Sequence, residues 1–70
     1  MEWIISIVWD EEASVWIATN EKLGLAMESN SFDLLIERVK NAVPELIEFN
    51  HLSKDIKLLF KAERHQTVTI

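Results

Sequence analysis

The longest regular pattern of apolar and polar positions lies in residues 31–49 and has the period of a helix. Its apolar residues recur three and four positions apart, which places them on one side of an α-helix. They are Phe32, Leu35, Ile36, Val39, Ala42, Val43, Leu46 and Ile47. Ser31 is suited to cap the first turn. Because Pro44 cannot donate a backbone hydrogen bond, we predict one kinked helix that closes near Asn50.

Four shorter stretches have the composition and alternation of β-strands. Residues 3–9 and 14–19 are rich in Ile, Val and Trp and are separated by a short acidic segment, which predicts an antiparallel hairpin. Residues 25–28 form a third predicted strand and residues 56–63 a fourth. Residues 64–70 either prolong the last strand or fray, as chain ends often do.

This order of elements predicts one α+β domain over residues 1–70. Its architecture is a three- to four-stranded antiparallel-type sheet with one helix packed on one face, in the order β-β-β-α-β. The first two strands are apolar on both sides, whereas one helix covers only one side. We predict Ile5, Ile7, Trp16 and Ala18 beneath the helix, although a register slip of one residue would exchange the two faces of the second strand.

The apolar residues left over are candidates for contact with another chain. Leu34 lies opposite the apolar side of the predicted helix, here called the helical stripe, and Val68 and Ile70 lie near the end of the sequence. The complete predicted interface set is Ile4, Val8, Val15, Ile17, Leu34, Val68 and Ile70. With 49% hydrophobic residues in 70, the chain has more apolar surface than one small core hides, so we expect a homo-oligomer, a dimer or a tetramer.

The charge balance limits the choice of partner. Residues 1–37 carry eight acids and one base, and the whole chain has a net charge of −5. Phosphates are bound mainly by clustered Lys and Arg, so we expect no direct contact with nucleic acid. We also expect no membrane insertion and a cytoplasmic location, because no apolar run is long enough to span a bilayer and the start lacks signal-peptide features.

No residue type occurs in a catalytic, cofactor-binding or metal-binding pattern, and we therefore predict a protein that is not an enzyme. One Gly cannot form a phosphate loop, and the absence of Cys excludes thiolate ligands and cysteine nucleophiles. The consecutive acids Asp10, Glu11 and Glu12 splay apart rather than converge on a cation. His51 and His65 lack metal-ligand spacing, and His51 suits the helix end. A nuclease using Asp10, Glu11 or His65 is the weakest alternative.

Several local strings resemble those of the HicB-like antitoxins, and in particular a small stand-alone branch of that superfamily. The resemblance covers nearly the whole chain. The matching strings are Val8-Trp9-Asp10-Glu11-Glu12-Ala13, Val15-Trp16-Ile17-Ala18-Thr19, Leu23-Gly24-Leu25, Ser31-Phe32 with Leu35-Ile36, Ala42-Val43-Pro44-Glu45-Leu46-Ile47 and Ala62-Glu63-Arg64.

The resemblance implies a partial ribonuclease-H-like fold without the catalytic carboxylates. It also implies a toxin-binding domain that neutralises a small, basic, mRNA-cleaving toxin. Classical members carry a separate DNA-binding module and a proline before the glycine of the third string, whereas this chain has no room for the module and has Leu23 before Gly24. The alternative prediction is an orphan homo-oligomeric domain with a regulatory, structural or small-ligand-binding role.

Overall fold

The structure, a computed structural model, describes residues 2–49 and 56–69. Its elements are β1 (Glu2–Asp10), β2 (Val15–Asn20), β3 (Leu25–Ser29), α1 (Phe32–Phe49) and β4 (Lys57–Glu63). The predicted α+β class and the order β-β-β-α-β are confirmed. The predicted helix closure at Asn50, the contact of His51 with the helix end and the interface residue Ile70 lie outside the described residues.

The four strands form one mixed sheet in the order β3-β2-β1-β4. The β1–β2 and β2–β3 pairs are antiparallel, whereas β4 is parallel to β1. The expected antiparallel-type sheet therefore describes three strands but not the fourth. The reason is the path of the chain: β3 runs in the direction of β1, α1 returns along the sheet, and β4 starts again from the same end.

The β1–β2 hairpin fixes which side chains share a face. Trp9 is paired with Trp16, and Ile7 with Ala18. In the connecting loop the Asp10 carboxylate accepts hydrogen bonds from the backbone N–H groups of Glu12 (3.0 Å) and Ala13 (3.2 Å). This side-chain cap closes a four-residue loop. Because successive strand residues alternate between faces, the resulting register places Ile7, Trp9, Trp16 and Ala18 on one face, as predicted.

The hydrophobic core lies between α1 and one face of the sheet. The helical stripe is confirmed, since Leu35, Val39, Val43 and Ile47 are all buried. The sheet contributes the predicted Ile5, Ile7 and Ala18, together with Trp3 and Leu25, and Trp16 packs against them. The helix is continuous through Pro44.

Short polar contacts set the start of α1. The Ser31 hydroxyl accepts a hydrogen bond from the N–H of Leu34 at 3.2 Å, and the Ser31 carbonyl accepts one from the N–H of Leu35 at 3.0 Å. Ser31 is therefore the N-cap, as predicted. Its own N–H donates to the hydroxyl of Ser29 at 3.1 Å, which ties the helix start to the end of β3.

The β2–β3 loop holds Leu23 in the core, where only 2% of its surface is exposed. The Asn20 carboxamide accepts a hydrogen bond from the N–H of Leu23 (3.0 Å) and donates one to the carbonyl of Ile4 (2.8 Å). Gly24 closes the loop with φ of 67° and donates its N–H to the carbonyl of Glu21 at 3.1 Å. Because that φ is left-handed, glycine suits the position.

Replacing this glycine should measure the conformational cost alone. A Cβ at Gly24 would meet nothing within 4 Å, so Gly24→Ala introduces no clash. We expect it to lower the free energy of unfolding by about 1 kcal/mol, because alanine is strained at positive φ. Gly24→Asn should cost less, since asparagine tolerates this conformation. Urea unfolding compares the two, and equal losses would contradict the explanation.

Candidate interaction surface

The side of the sheet opposite α1, here called the open face, is the candidate functional surface. Successive residues of each strand alternate between the helix side and this side. The open face therefore contains Glu2, Ile4, Ser6 and Val8 from β1, Val15, Ile17 and Thr19 from β2, Ala26 and Glu28 from β3, and Lys57, Leu59, Lys61 and Glu63 from β4.

Apolar side chains on the open face lie in two cross-strand groups. Ile4 of β1 is paired with Leu59 of β4, and Val8 of β1 with Ile17 of β2. Ile4 is 46% exposed, Val8 43% and Leu59 39%. Exposed leucines or valines are ordinary when scattered, but neighbouring ones on adjacent strands form a patch of the kind found at interaction sites.

Charged residues of both signs lie around this patch and between its two apolar groups. Glu28 of β3 is paired with Ile17, and Glu63 of β4 with Val8. Lys57 is paired with Glu2 at the other end of the sheet, and Lys61 with Ser6 between the two apolar groups. An apolar centre with a charged rim is the usual anatomy of a protein–protein interface.

The predicted interface residues do not all lie on this surface. The open face holds Ile4, Val8, Val15 and Ile17, while Leu34 is 51% exposed on α1 and therefore faces away from it. Val68 is 82% exposed in the irregular segment 64–69. That these residues contact another chain stays a prediction. The structure adds Leu59, which shares its side of β4 with Lys57, Lys61 and Glu63 and was not among the predicted interface residues.

The residues considered for chemistry have structural partners. Asp10 caps the hairpin loop, and the Glu11 carboxylate accepts a hydrogen bond from the indole N–H of Trp9 at 2.6 Å. His65 Nε2 lies 3.3 Å from Glu63 Oε2, and both side chains are largely exposed. Within the described ranges, no group of three or more His, Cys, Asp or Glu residues could hold a metal ion.

An aromatic cluster occupies the hairpin end of the sheet on the helix side. The rings of Trp9 and Trp16 meet edge to face with centroids 5.2 Å apart, and Trp16 meets Phe32 similarly at 5.0 Å. The guanidinium carbon of Arg64 lies 4.2 Å from the ring centroid of Trp9 and 5.7 Å from that of Trp16. A cation over an indole face is attracted by the ring electrons, so Arg64 fastens the segment after β4 to this cluster.

A cavity of about 660 Å³ opens at the other end of the open face. Ile4, Ser6 and Thr19 line it together with Lys22 of the β2–β3 loop. Trp3 also borders it, and in the described part of the chain the buried indole N–H of Trp3 has no hydrogen-bond partner. This cavity is where the small-ligand-binding alternative would place its ligand.

These features define a small α+β domain with one covered and one uncovered sheet face. The profile of a family described as "Domain of unknown function (DUF1902)" matches residues 2–70, and the chain belongs to this family. A crystal structure of hypothetical protein TTHA1013 from the extremely thermophilic bacterium Thermus thermophilus is similar over 100% of both chains, with 27% identity and a TM-score of 0.74. None of the curated proteins matches.

These matches identify the domain family but do not link it to the HicB antitoxins. The resemblance to that superfamily therefore stays a prediction. No helix in the described parts of the chain is long and apolar enough to cross a membrane.

Removing the Arg64 guanidinium should loosen the segment that it holds. We expect Arg64→Gln to shift the fluorescence of Trp9 and Trp16 and to lower the free energy of unfolding by about 0.5–1 kcal/mol, the typical size of an exposed cation–π contact. Arg64→Lys, which keeps the positive charge, should lose less. Lys61→Gln removes an equal charge away from the indoles, and a fluorescence shift of the same size there would contradict the assignment.

Proposed function

We propose that this DUF1902 domain is a non-enzymatic protein-interaction module. Copies of it associate through the open face, and the assembly binds a small, basic, mRNA-cleaving protein in the manner of the toxin-binding domain of HicB-type antitoxins. The observation that carries the proposal is the exposed apolar patch of Ile4, Val8 and Leu59 on the helix-free side of the sheet.

The size of the open face is compatible with weak association of two copies. The four strands contain 27 residues, each of which occupies about 3.3 Å along and about 4.8 Å across the sheet. One face thus offers roughly 430 Å², so two facing copies would bury roughly 860 Å² in total. This lies just below the usual size of specific interfaces, and we expect a weak, concentration-dependent equilibrium.

The rim charges favour a basic protein as the further partner. Around the apolar patch, the acids Glu2, Glu28 and Glu63 outnumber the bases Lys57 and Lys61, and the whole chain has a net charge of −5. Opposite charges across an interface accelerate encounter and discriminate against wrong partners. A protein that grips mRNA carries Lys and Arg for the phosphates and has the complementary charge.

The roles of the hairpin acids support a non-enzymatic module. Asp10 is occupied in capping the loop through two backbone N–H groups, and Glu11 in holding the Trp9 indole. A general base or a metal ligand has to direct its oxygen atoms toward a substrate or a cation. Both carboxylates are instead directed at the chain itself.

A charge placed in the patch tests self-association. We expect Val8→Lys to dissociate the oligomer, because burying an unpaired ammonium in an apolar contact is strongly unfavourable. Leu34→Lys is the matched control, since Leu34 is similarly exposed but lies on α1. Light scattering after gel filtration over a range of concentrations gives the mass of each variant.

Three results of this mass measurement have different meanings. A wild-type chain that remains a monomer at high concentration contradicts open-face association. Dissociation by Leu34→Lys with no effect of Val8→Lys moves the contact to α1. Dissociation by Val8→Lys alone supports the proposal.

The basic partner is tested separately by capture from cells of the source organism. The tagged chain is used beside a variant with Glu2, Glu28 and Glu63 all changed to Gln. We expect the wild type to retain a small basic protein that salt releases, because screening weakens contacts between exposed charges. The released protein should cleave an mRNA reporter. The variant should retain much less of it, because the three carboxylates are gone. If the released fraction does not cleave mRNA, the antitoxin role is wrong and the orphan homo-oligomer is the better description.

A further inference from the structure

Strand β3 leaves one edge of the sheet unpaired. It lies at the end of the strand order and, among the described residues, pairs only with β2, so the N–H and C=O groups that alternate residues of Leu25–Ser29 direct outward form an edge to which a strand can be added. The Glu28 carbonyl accepts a long hydrogen bond from Arg38 at 3.5 Å and keeps a second lone pair. A groove of about 470 Å³ runs beside this edge between β3 and α1, and mainly apolar residues line it. They include Met27 on the strand, and Glu45 of the helix lies at the groove as well.

The segment after β4 has the composition of a strand but pairs with no strand in the described part of the chain. Residues 64–69 are irregular and exposed throughout, and Thr67, Val68 and Thr69 are β-branched residues, the type that favours strands. Val68 is 82% exposed, the largest value among the exposed large hydrophobic residues described. An extended segment and a free edge are complementary, because the edge supplies backbone hydrogen bonds and the groove accepts alternate side chains.

The segment cannot reach the β3 edge of its own copy in strand geometry. It leaves β4 at the opposite edge, three strand spacings or about 14 Å from β3. Arg64 is held over Trp9, and residues 65–68 line a cavity with Glu11 of the hairpin loop. Residues 65–69 span at most about 17 Å when fully extended, so they would be used up in crossing the sheet and could not also run along β3. If residues 66–69 add to this edge, they therefore come from a second copy.

In the described part of the chain, charge distinguishes β3 from the other free edge, which is β4. Residues 66–69 carry no charge themselves, but Arg64 precedes them. The β4 edge carries Lys57, Lys61 and Glu63, a net positive charge, whereas the β3 edge and its groove carry Glu28 and Glu45, with Arg38 at the Glu28 carbonyl, a net negative charge. Opposite charges favour pairing and like charges oppose it, so the segment that follows Arg64 prefers β3.

We propose that residues 66–69 of one copy add to the sheet of a second copy as a strand along β3, with Val68 in the groove between β3 and α1. Thr67 and Thr69 then lie on the open-face side, beside Ala26 and Glu28, because side chains alternate along a strand. This contact uses surfaces other than the open-face patch and does not depend on the proposed function.

Cross-linking between introduced cysteines tests the placement, since the chain has no cysteine of its own. The full-length Thr67→Cys variant is mixed with an isotope-labelled Ala26→Cys variant and treated with a short bis-maleimide. The matched control mixture replaces Ala26→Cys with Lys61→Cys, which places the thiol on the same face at the β4 edge. We expect the mixed product, identified by its mass, to form several-fold faster with Ala26→Cys.

Equal rates in the two mixtures, or a faster reaction with Lys61→Cys, would overturn the proposal. The Thr67–Ala26 pair is then repeated with Val8→Lys in both chains, which disrupts open-face association. Persistence of the link supports a separate contact even if the proposed function fails. Loss of the link would show that the two residues meet only as a by-product of open-face association.

A final variant checks that the groove accepts the Val68 side chain. In the Thr67→Cys background, Val68→Asp should slow the reaction with Ala26→Cys, because a carboxylate in the groove meets apolar walls and Glu45. Thr69→Asp is the control: its carboxylate also lies near an acid, Glu28, but on the exposed open-face side rather than in the apolar groove. A rate that falls no further for Val68→Asp than for Thr69→Asp would contradict the assigned orientation.

Discussion

One geometric constraint governs this protein: a single helix covers one face of a sheet, while the central strands are apolar on both faces. Strand β1 expresses it most clearly. Its Ile5 and Ile7 are completely buried beneath α1, while Ile4 and Val8 on the other side retain close to half of their exposure. Within one copy, the described elements cover only one of the two apolar sides of β1. The described ranges contain no second helix with which to cover the rest.

Strand β1 also contacts most of the other parts of the fold. It pairs with both β2 and β4, places Ile5 and Ile7 in the core, and supplies two members of the exposed patch. Near its end, Trp9 joins the hairpin acid Glu11 to Arg64 beyond β4. The same strand thus fixes the hydrophobic core, the candidate surface and the start of the irregular segment. Its alternation therefore determines both the hydrophobic core and the candidate surface.

Most of the architecture follows from local sequence patterns, whereas the features that were not predicted depend on pairings between residues far apart in the chain. The helical stripe, the Ser31 cap and the division of β1 into two faces are readable because each rests on neighbouring residues. The direction of β4 is not, since alternation looks the same in parallel and antiparallel pairs. Leu59 was left out for another reason: the other residues on its side of β4 are charged, and its pairing with Ile4 joins strands that are far apart in the chain. The contact of Arg64 with Trp9 joins residues far apart in the chain, and no spacing rule marks it.

The two proposed contacts together would constrain the assembly. Open-face packing is isologous, since the same patch serves on both copies, and reciprocal addition of residues 66–69 to β3 would be isologous too. Each contact alone closes a dimer. Two different two-fold contacts on one chain close into a tetramer when their axes cross at right angles, into larger dihedral assemblies at smaller whole fractions of 180°, and otherwise propagate as an open array. Because the open face and the β3 edge lie on different surfaces of one sheet, both could be occupied at once, and a tetramer would be the smallest closed assembly in which neither surface remains uncovered.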